Sequence, residues 1–123
     1  MKPLHFDLKE AVKENESYRK VVFTGAHSQL VLMALPPGSE IGLETHPVDQ
    51  FFYVVDGEGV ANIEGRDQEI EKGDAVCVPA GQPHNIANSG DEPLKLFTVY
   101  SPAQHPTGLE QKEKPEAVAA MIL

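Results

Sequence analysis

Short runs of β-branched and aromatic residues, separated by glycine and proline turns, make up most of the chain between residues 18 and 101. The first two runs are YRKVVFTG and SQLVLMALPPG, and the later ones are EIGLETH, QFFYVV, GVANIE, AVCVP, HNIAN and LKLFTVY. Because eight or more short strands at regular spacing are typical of antiparallel sandwiches and barrels, we predict an all-β fold. The Asp56-Gly57 pair after QFFYVV further predicts a hairpin turn.

The two ends of the chain depart from this pattern. Residues 1–17 are polar with scattered apolar positions, which predicts an arm or a short helix lying on the body. After the last run the chain is polar and contains prolines, and the sequence EAVAAMIL that follows Pro115 has strong helix formers. We therefore predict three segments, which are an N-terminal arm (1–17), a β-barrel (18–101) and a C-terminal extension with a short helix (102–123).

Length and charge narrow the class of protein. The chain has 123 residues, of which 41% are hydrophobic, so it can build one ordinary core rather than two domains. Its net charge of -9 repels phosphate backbones and anionic lipids, which argues against nucleic-acid and membrane-surface roles. No apolar run is long enough to span a membrane, and the first residues do not form a signal peptide, so we expect a cytoplasmic protein.

The single cysteine and the basic residues are interpreted from their positions in the sequence. Cys77 is the single cysteine, which excludes an internal disulfide, and its place between two valines predicts a small buried side chain. The few basic residues that are candidates for holding an anionic substrate are Arg19, Lys20, Arg66, Lys72 and Lys95. Most of them are interpreted instead as outward charges that protect edge strands.

Glu44 and His46 are the first candidate ligands for a metal ion. On a strand, residues two apart point to the same face, so both side chains can reach one point. Gln50, beyond the turn at residues 47–49, can return to that point from the next strand, and Phe52 and Val54 then share its face. Taken alone, a Glu-x-His pair is weak evidence, because solvated acid and histidine pairs are common.

A second segment strengthens the interpretation, because the chain resembles the cupin superfamily at both places. The first motif of that family reads G-x5-H-x-H-x3-4-E-x6-G, and the residues at those spacings here are Gly38, Glu44, His46, Gln50 and Gly57. The second motif, G-x5-P-x-G-x2-H-x3-N, is matched without departure by Gly73, Pro79, Gly81, His84 and Asn88. The resemblance covers roughly residues 30 to 100 and implies a small single-domain jelly-roll barrel, the double-stranded β-helix.

The first motif departs from the family at two ligand positions. Glu44 stands where the family usually has histidine, and Gln50 where it usually has glutamate, so one carboxylate has moved and none is lost. The resemblance then implies a metal site of His46, His84, Glu44 and Gln50. Two nitrogens and two oxygens favour manganese or ferrous iron, with nickel, zinc or cobalt as further options, and leave two positions of an octahedral ion open.

Several alternatives remain open at this stage. Gln50 can bind the metal directly or can hydrogen-bond a metal-bound water instead. The pocket can also bind an organic ligand without a metal, although two convergent buried histidines favour a partner for them. His105, just after the last strand, is a candidate acid, base or substrate contact or else a surface loop residue. Tyr100 is a candidate hydroxyl donor or a residue that packs the rim.

We therefore expect a metal-dependent enzyme that acts on a small oxygenated metabolite, either sugar-derived or with a carbonyl or enediol group. An isomerase, lyase or dioxygenase reaction is expected, with Glu44, Tyr100 and His105 as candidate catalytic residues. The alternative is a non-catalytic cupin that binds or senses a small molecule. The resemblance and the apolar C-terminal tail also predict a homodimer, with neither nucleic acid nor membrane as a partner.

Overall fold

The computed structural model describes residues 2–115, which form nine β-strands and one short helix. Helix α1 spans Leu8–Glu14. The strands are β1 (Arg19–Thr24), β2 (Gln29–Leu35), β3 (Asp49–Asp56), β4 (Glu58–Ile63), β5 (Arg66–Glu71), β6 (Ala75–Val78), β7 (His84–Asn88), β8 (Leu94–Ser101) and β9 (Glu110–Gln111). The predicted all-β fold is therefore confirmed.

The strands form two antiparallel sheets that enclose the core. The larger sheet has the strand order β6-β3-β8-β2-β1-β9, and the smaller has the order β5-β4-β7. The chain passes from one sheet to the other after β3, β5, β6 and β7, which gives the crossed connections of a jelly roll. The two sheets thereby enclose a single interior.

The interior is filled by alternate side chains of each strand, as a period of two requires. On β8, Leu94, Leu96, Thr98 and Tyr100 are buried, whereas the residues between them are only half-buried. The register places Gln50 of β3 and Gln29 of β2 opposite Tyr100, one on each side of β8. Three adjacent strands thus bring polar interior side chains to the same level of the barrel.

Helix α1 covers part of the outer face of the larger sheet. It begins after Asp7, whose carboxylate accepts a hydrogen bond from the backbone of Glu10 at 3.1 Å and so caps the first turn. Val12 is fully buried against Leu32 and Val55, which point outward from β2 and β3. The N-terminal segment therefore contributes a short helix that packs on the body, one of the two forms expected for it.

The predicted strand EIGLETH is not a strand. Only Glu40 and Glu44 form isolated bridges, to Ala87 and to His84 of β7. Between them Gly42 has a φ of 102°, and its N–H donates to the side-chain oxygen of Asn85 at 2.8 Å instead of to a neighbouring backbone. The segment therefore follows β7 irregularly, and its side chains do not alternate as in a ladder.

The Asp56-Gly57 pair is not a hairpin turn either, because β3 and β4 belong to different sheets. Gly57 has a φ of 92° and turns the chain from the larger sheet to the smaller one. The tight hairpin is instead between β4 and β5, where Glu64 and Gly65 have φ values of 50° and 82°. Two successive positive φ angles are the signature of a type I′ turn.

Cys77 is exposed, so the prediction that it is buried is wrong. Its strand, β6, is an edge strand of the larger sheet, and the side chain of Cys77 lies on the outer face of that strand.

The C-terminal helix predicted after Pro115 lies outside the described residues. Within residues 2–115, no helix has the length and hydropathy needed to cross a membrane.

Candidate metal site

The four predicted metal ligands converge inside the barrel. One ligand atom each from Glu44, His46 and His84 lies within 4.8 Å of the other two. The amide oxygen of Gln50 lies 3.0 Å from Nε2 of His84. Glu44 and His46 come from the segment before β3, Gln50 from β3, and His84 from the start of β7. The cluster therefore connects both sheets of the barrel.

Backbone hydrogen bonds hold the two ligand segments against each other. The N–H of Glu44 donates to the carbonyl of His84 at 2.8 Å, and the N–H of His84 donates back at 2.9 Å. The N–H of Gly81 donates to the carbonyl of His46 at 2.8 Å. Glu44 and His46 therefore converge because both are tied to the Gly81–His84 turn, not because they share a strand face.

The ring of His84 is oriented by the turn that precedes it. Its Nδ1 lies 2.9 Å from the carbonyl oxygen of Gln82, so the proton of the neutral ring is on Nδ1 and the Nε2 lone pair points to the cluster. The amide nitrogen of Gln50 donates to the hydroxyl of Thr98 at 3.0 Å, which turns the amide oxygen toward His84. When the His84 ring is neutral, two acceptors face each other in the buried interior, an arrangement that a cation bound to both of them would satisfy.

Glu44 is held in its charged form. Burial raises the pKa of this carboxyl, but the hydrogen bond and charge of His46, together with the charges of Arg19 and His84, outweigh it and lower the pKa below its ordinary value. One carboxylate oxygen is in close contact with Nε2 of His46. The cluster thus combines an anionic oxygen with two imidazole nitrogens, a donor set that suits a divalent transition metal.

The cluster opens to solvent on the side of Glu44. The side chains of Glu44 and His46 are 22% and 13% exposed. By contrast, His84 and Gln50 are almost fully buried. Solvent therefore reaches the cluster at Glu44 and His46, whereas the side of His84 and Gln50 is closed.

Tyr100 and His105 lie beside the cluster. The ring of Tyr100 is buried 5.9 Å from that of His46, and its hydroxyl is 3.2 Å from Nε2 of His105. Burial raises the pKa of Tyr100 far above its usual value, so the phenol stays protonated. Burial and the charge of Arg19 lower the pKa of His105 to about 4, so its ring is neutral at neutral pH.

Gln29 fixes the loop that carries His105, a role that sequence reasoning did not identify. Its amide oxygen accepts hydrogen bonds from the backbones of Gln104 and His105 at 3.1 and 3.0 Å. Its amide nitrogen donates to the carbonyl of His105 at 2.7 Å and to Thr24 at 3.0 Å. The sequence does contain a signal for this role. Gln29 begins an apolar strand and lies on the same face as Val31 and Met33, so its polar side chain is directed into the interior.

Arg19 is buried inside the barrel and is therefore not one of the outward charges expected for most of the basic residues. It shares the interior face of β1 with Val21, and its Nη2 lies 4.0 Å from the carboxylate of Glu44. In addition, β1 is not an edge strand, because β9 pairs with it and places Gln111 beside Arg19. The guanidinium is therefore part of the surroundings of the metal cluster.

Comparison with known proteins places these features in a family. The family model described as a cupin domain matches residues 31–100. The Bacillus subtilis protein YrkC is 40% identical over 127 residues, which cover 97% of this chain and 68% of YrkC. A Thermotoga maritima protein named oxalate-binding protein is 38% identical over 68 residues, covering 54% of this chain and 56% of that protein.

A solved structure agrees with the fold over nearly the whole chain. The crystal structure of BH2720 from Bacillus halodurans superposes with a TM-score of 0.91 at 36% sequence identity. The superposition covers 99% of this chain and 96% of BH2720. The two-sheet barrel described above, including its N-terminal helix, is therefore an architecture that this chain shares with a protein of similar length.

Proposed function

The chain belongs to the cupin family, and on this premise we propose that it is a metal-dependent enzyme that acts on a small oxygenated substrate. The observation that carries the proposal is the convergence of Glu44, His46 and His84 to within 4.8 Å of one another inside the barrel. One divalent ion would be held by these three residues, with the amide oxygen of Gln50 as the fourth donor.

The donor atoms fit such an ion. Two ligand atoms at right angles on an ion with bonds of about 2.1 Å lie about 3 Å apart. This is the separation found between Nε2 of His84 and Oε1 of Gln50, which is 3.0 Å. Two imidazole nitrogens with two oxygens favour manganese or ferrous iron, with nickel, zinc or cobalt as further candidates.

The surrounding residues suit proton transfer on a carbonyl or enediol substrate. When bound, the ion would supply Lewis-acid polarisation of a substrate oxygen. Glu44, whose pKa is lowered, and His105, whose pKa is lowered to about 4, can both accept a proton at neutral pH. The Tyr100 phenol remains a donor beside them. These roles favour an isomerase or lyase on a sugar-derived or keto substrate over the dioxygenase type.

A binding function without catalysis is the second candidate. It is favoured by the Thermotoga maritima relative, which is named for binding oxalate. A screen of small sugar derivatives and keto acids with the metal-loaded protein separates the two candidates. Product formation supports the enzyme, whereas saturable binding of a compound that is recovered unchanged supports the binding protein.

Metal content of the purified protein tests the site directly. We expect His84→Ala to lower the manganese or iron content per chain by at least about tenfold, because it removes a buried ligand. The turn before His84 rests on Pro79 and Gly81, so the barrel should keep its β-sheet circular dichroism. Elemental analysis after growth with added manganese and iron provides the measurement.

His27→Ala is the matched control, because His27 is exposed in the loop between β1 and β2. It should retain the metal content of the unaltered protein. Full metal content in folded His84→Ala, or no transition metal in any of the three proteins, would contradict the proposal.

A further inference from the structure

Arg19 has a buried guanidinium with an unused hydrogen-bonding edge. Its side chain is 9% exposed, although arginine is almost never buried without a partner. Nη1 donates to the side chain of Gln111 at 2.6 Å. Nε, however, is buried and has no hydrogen-bond partner among the described residues. A buried donor left in this way is unfavourable, and more so when it is charged.

The unused edge faces the metal cluster. In a guanidinium, the N–H bonds of Nε and Nη2 point in the same direction and match the two oxygens of a carboxylate. Nη2 lies 4.0 Å from Oε1 of Glu44, which is too long for a hydrogen bond but shows where this edge points. Among residues 2–115, Glu44 is the only carboxylate within that distance of Arg19.

The balance of charges around the cluster also favours a negatively charged ligand. If the proposed divalent ion is bound, the ion and Arg19 together bring three positive charges against the single negative charge of Glu44. Uncompensated charge in a buried site is costly, so a ligand that brings negative charge is favoured over a neutral one. The side chain of Glu44 is 22% exposed, so a ligand can approach the cluster from the side of this residue.

We infer that the ligand of this site is a small carboxylate, which Arg19 binds through its Nε and Nη2 edge. The remaining oxygen of the ligand lies toward Glu44, His46 and His84, and this second part of the inference rests on the proposed function. Small dicarboxylates and 2-oxo or 2-hydroxy acids belong to this class, whereas neutral sugars do not. Arg19 is then the residue that selects the charge of the substrate.

Calorimetric titration with a matched pair of probes tests the inference. Oxalate is the smallest dicarboxylate, and oxamide has the same planar shape without charge. In the manganese-loaded protein, Arg19→Gln should weaken oxalate binding at least tenfold, change oxamide binding less than twofold, and leave the manganese content unchanged. Arg66→Gln is the matched control, because Arg66 is the other arginine of the chain and is exposed.

Arg19→Lys covers the case in which Arg19→Gln does not fold. Lysine keeps the charge but not the two-pronged edge, so it should also weaken oxalate binding relative to the unaltered protein. Oxalate binding within twofold of the unaltered protein in a folded Arg19 variant would overturn the inference. So would an equal loss of oxalate and oxamide binding.

The same titrations with metal-free protein separate this inference from the proposed metal site. If no manganese binds, the proposed function fails, and the metal-free proteins then decide the role of Arg19. Oxalate binding by the unaltered protein that is lost in Arg19→Gln and retained in Arg66→Gln supports the carboxylate site. Absence of oxalate binding from the metal-free unaltered protein, or its persistence in Arg19→Gln, would in that case reject it.

Discussion

Gln50 occupies the position where cupins usually carry a carboxylate ligand, and its neutral amide has a structural consequence. Its side chain is buried next to His84 and donates to Thr98. A glutamate there would place a second carboxylate near Glu44 in the metal-free barrel, at a cost in desolvation and repulsion. The amide therefore keeps a donor oxygen in the site without this cost.

Exchanging the amide for a carboxylate tests this account. We expect Gln50→Glu to bind manganese at least about tenfold more tightly, because a charged oxygen replaces a weak ligand beside Nε2 of His84. We also expect the metal-free variant to be about 1–3 kcal/mol less stable, since the new carboxyl is buried. Metal affinity is measured by calorimetry and stability by urea unfolding with a chelator present.

Gln68→Glu controls for the change in net charge, because Gln68 is exposed on β5. It should alter neither quantity. If Gln50→Glu leaves the manganese affinity unchanged, the side chain at position 50 does not contact the ion, and the alternative in which it only hydrogen-bonds a metal-bound water is favoured.

Single residues also show where sequence reasoning reached its limit. The parity argument that grouped Gln50 with Phe52 and Val54 is confirmed, because all three are buried whereas Phe51 and Tyr53 between them are only half-buried. The same argument could not orient Arg19, since RKVVF carries a valine on each face of β1. Its burial depends on Gln111, which lies 92 positions away in sequence. Such a distant partner leaves no local pattern.

At the scale of elements, two glycines of the cupin motifs, Gly57 and Gly73, are required for different structural reasons. Gly57 and Gly73 both have strongly positive φ angles, of 92° and 94°. A Cβ on Gly57 would lie 2.6 Å from the carbonyl oxygen of Pro93, whereas a Cβ on Gly73 would meet nothing within 4 Å. Gly57 is therefore required by both conformation and space, and Gly73 by conformation alone.

This difference predicts unequal costs for the same substitution. Gly73→Ala should lower the free energy of unfolding by about 1–2 kcal/mol, the cost of a left-handed conformation for an L-residue. Gly57→Ala should cost about 1–3 kcal/mol more, because the backbone between β7 and β8 must also move. Urea unfolding of the two variants beside the unaltered protein gives both values. Equal losses of stability would show that the close approach to Pro93 is relieved without strain.

The elements that were wrongly predicted share one physical cause. A glycine pattern indicates that the chain turns, but not whether the next strand joins the same sheet. At Asp56-Gly57 the chain crosses to the other sheet, and at Glu64-Gly65 it forms the tight hairpin. The local pattern likewise predicts a strand for the segment before β3, whereas the positive φ of Gly42 and its hydrogen bond to Asn85 of β7 interrupt it.

For the whole molecule, the resemblance in two short motifs was sufficient to predict the fold and the convergence of the four candidate ligands. The spacing of the turns determines how many strands form, and this information is local. The surroundings of the cluster were less predictable, because Arg19, Gln29 and the loop of His105 meet there only after the two sheets close. Features that depend on register between distant strands therefore require the structure.

The last prediction concerns the stability of the whole protein in acid. The ring of His105 contacts the hydroxyl of Tyr100 and is close enough to Arg19, Glu44 and His46 to be affected by their charges. Burial, and after it the charge of Arg19, lowers the pKa of His105 from 6.5 to about 4. The unfolded chain therefore binds a proton more readily than the folded one. The stability contributed by neutral His105 is complete above pH 6.5 and is lost as the pH falls to about 4.

In the metal-free protein, we expect this loss to be on the order of 1 kcal/mol, because the partly exposed ring is screened by solvent. Glu44, whose pKa is lowered from 4.5, adds a loss in the same direction only at lower pH. Urea unfolding across this interval should show a weaker pH dependence for His105→Gln, and an unaltered one for His27→Gln, whose imidazole is exposed. A pH dependence of His105→Gln equal to that of the unaltered protein would mean that this ring titrates alike in the folded and unfolded chains.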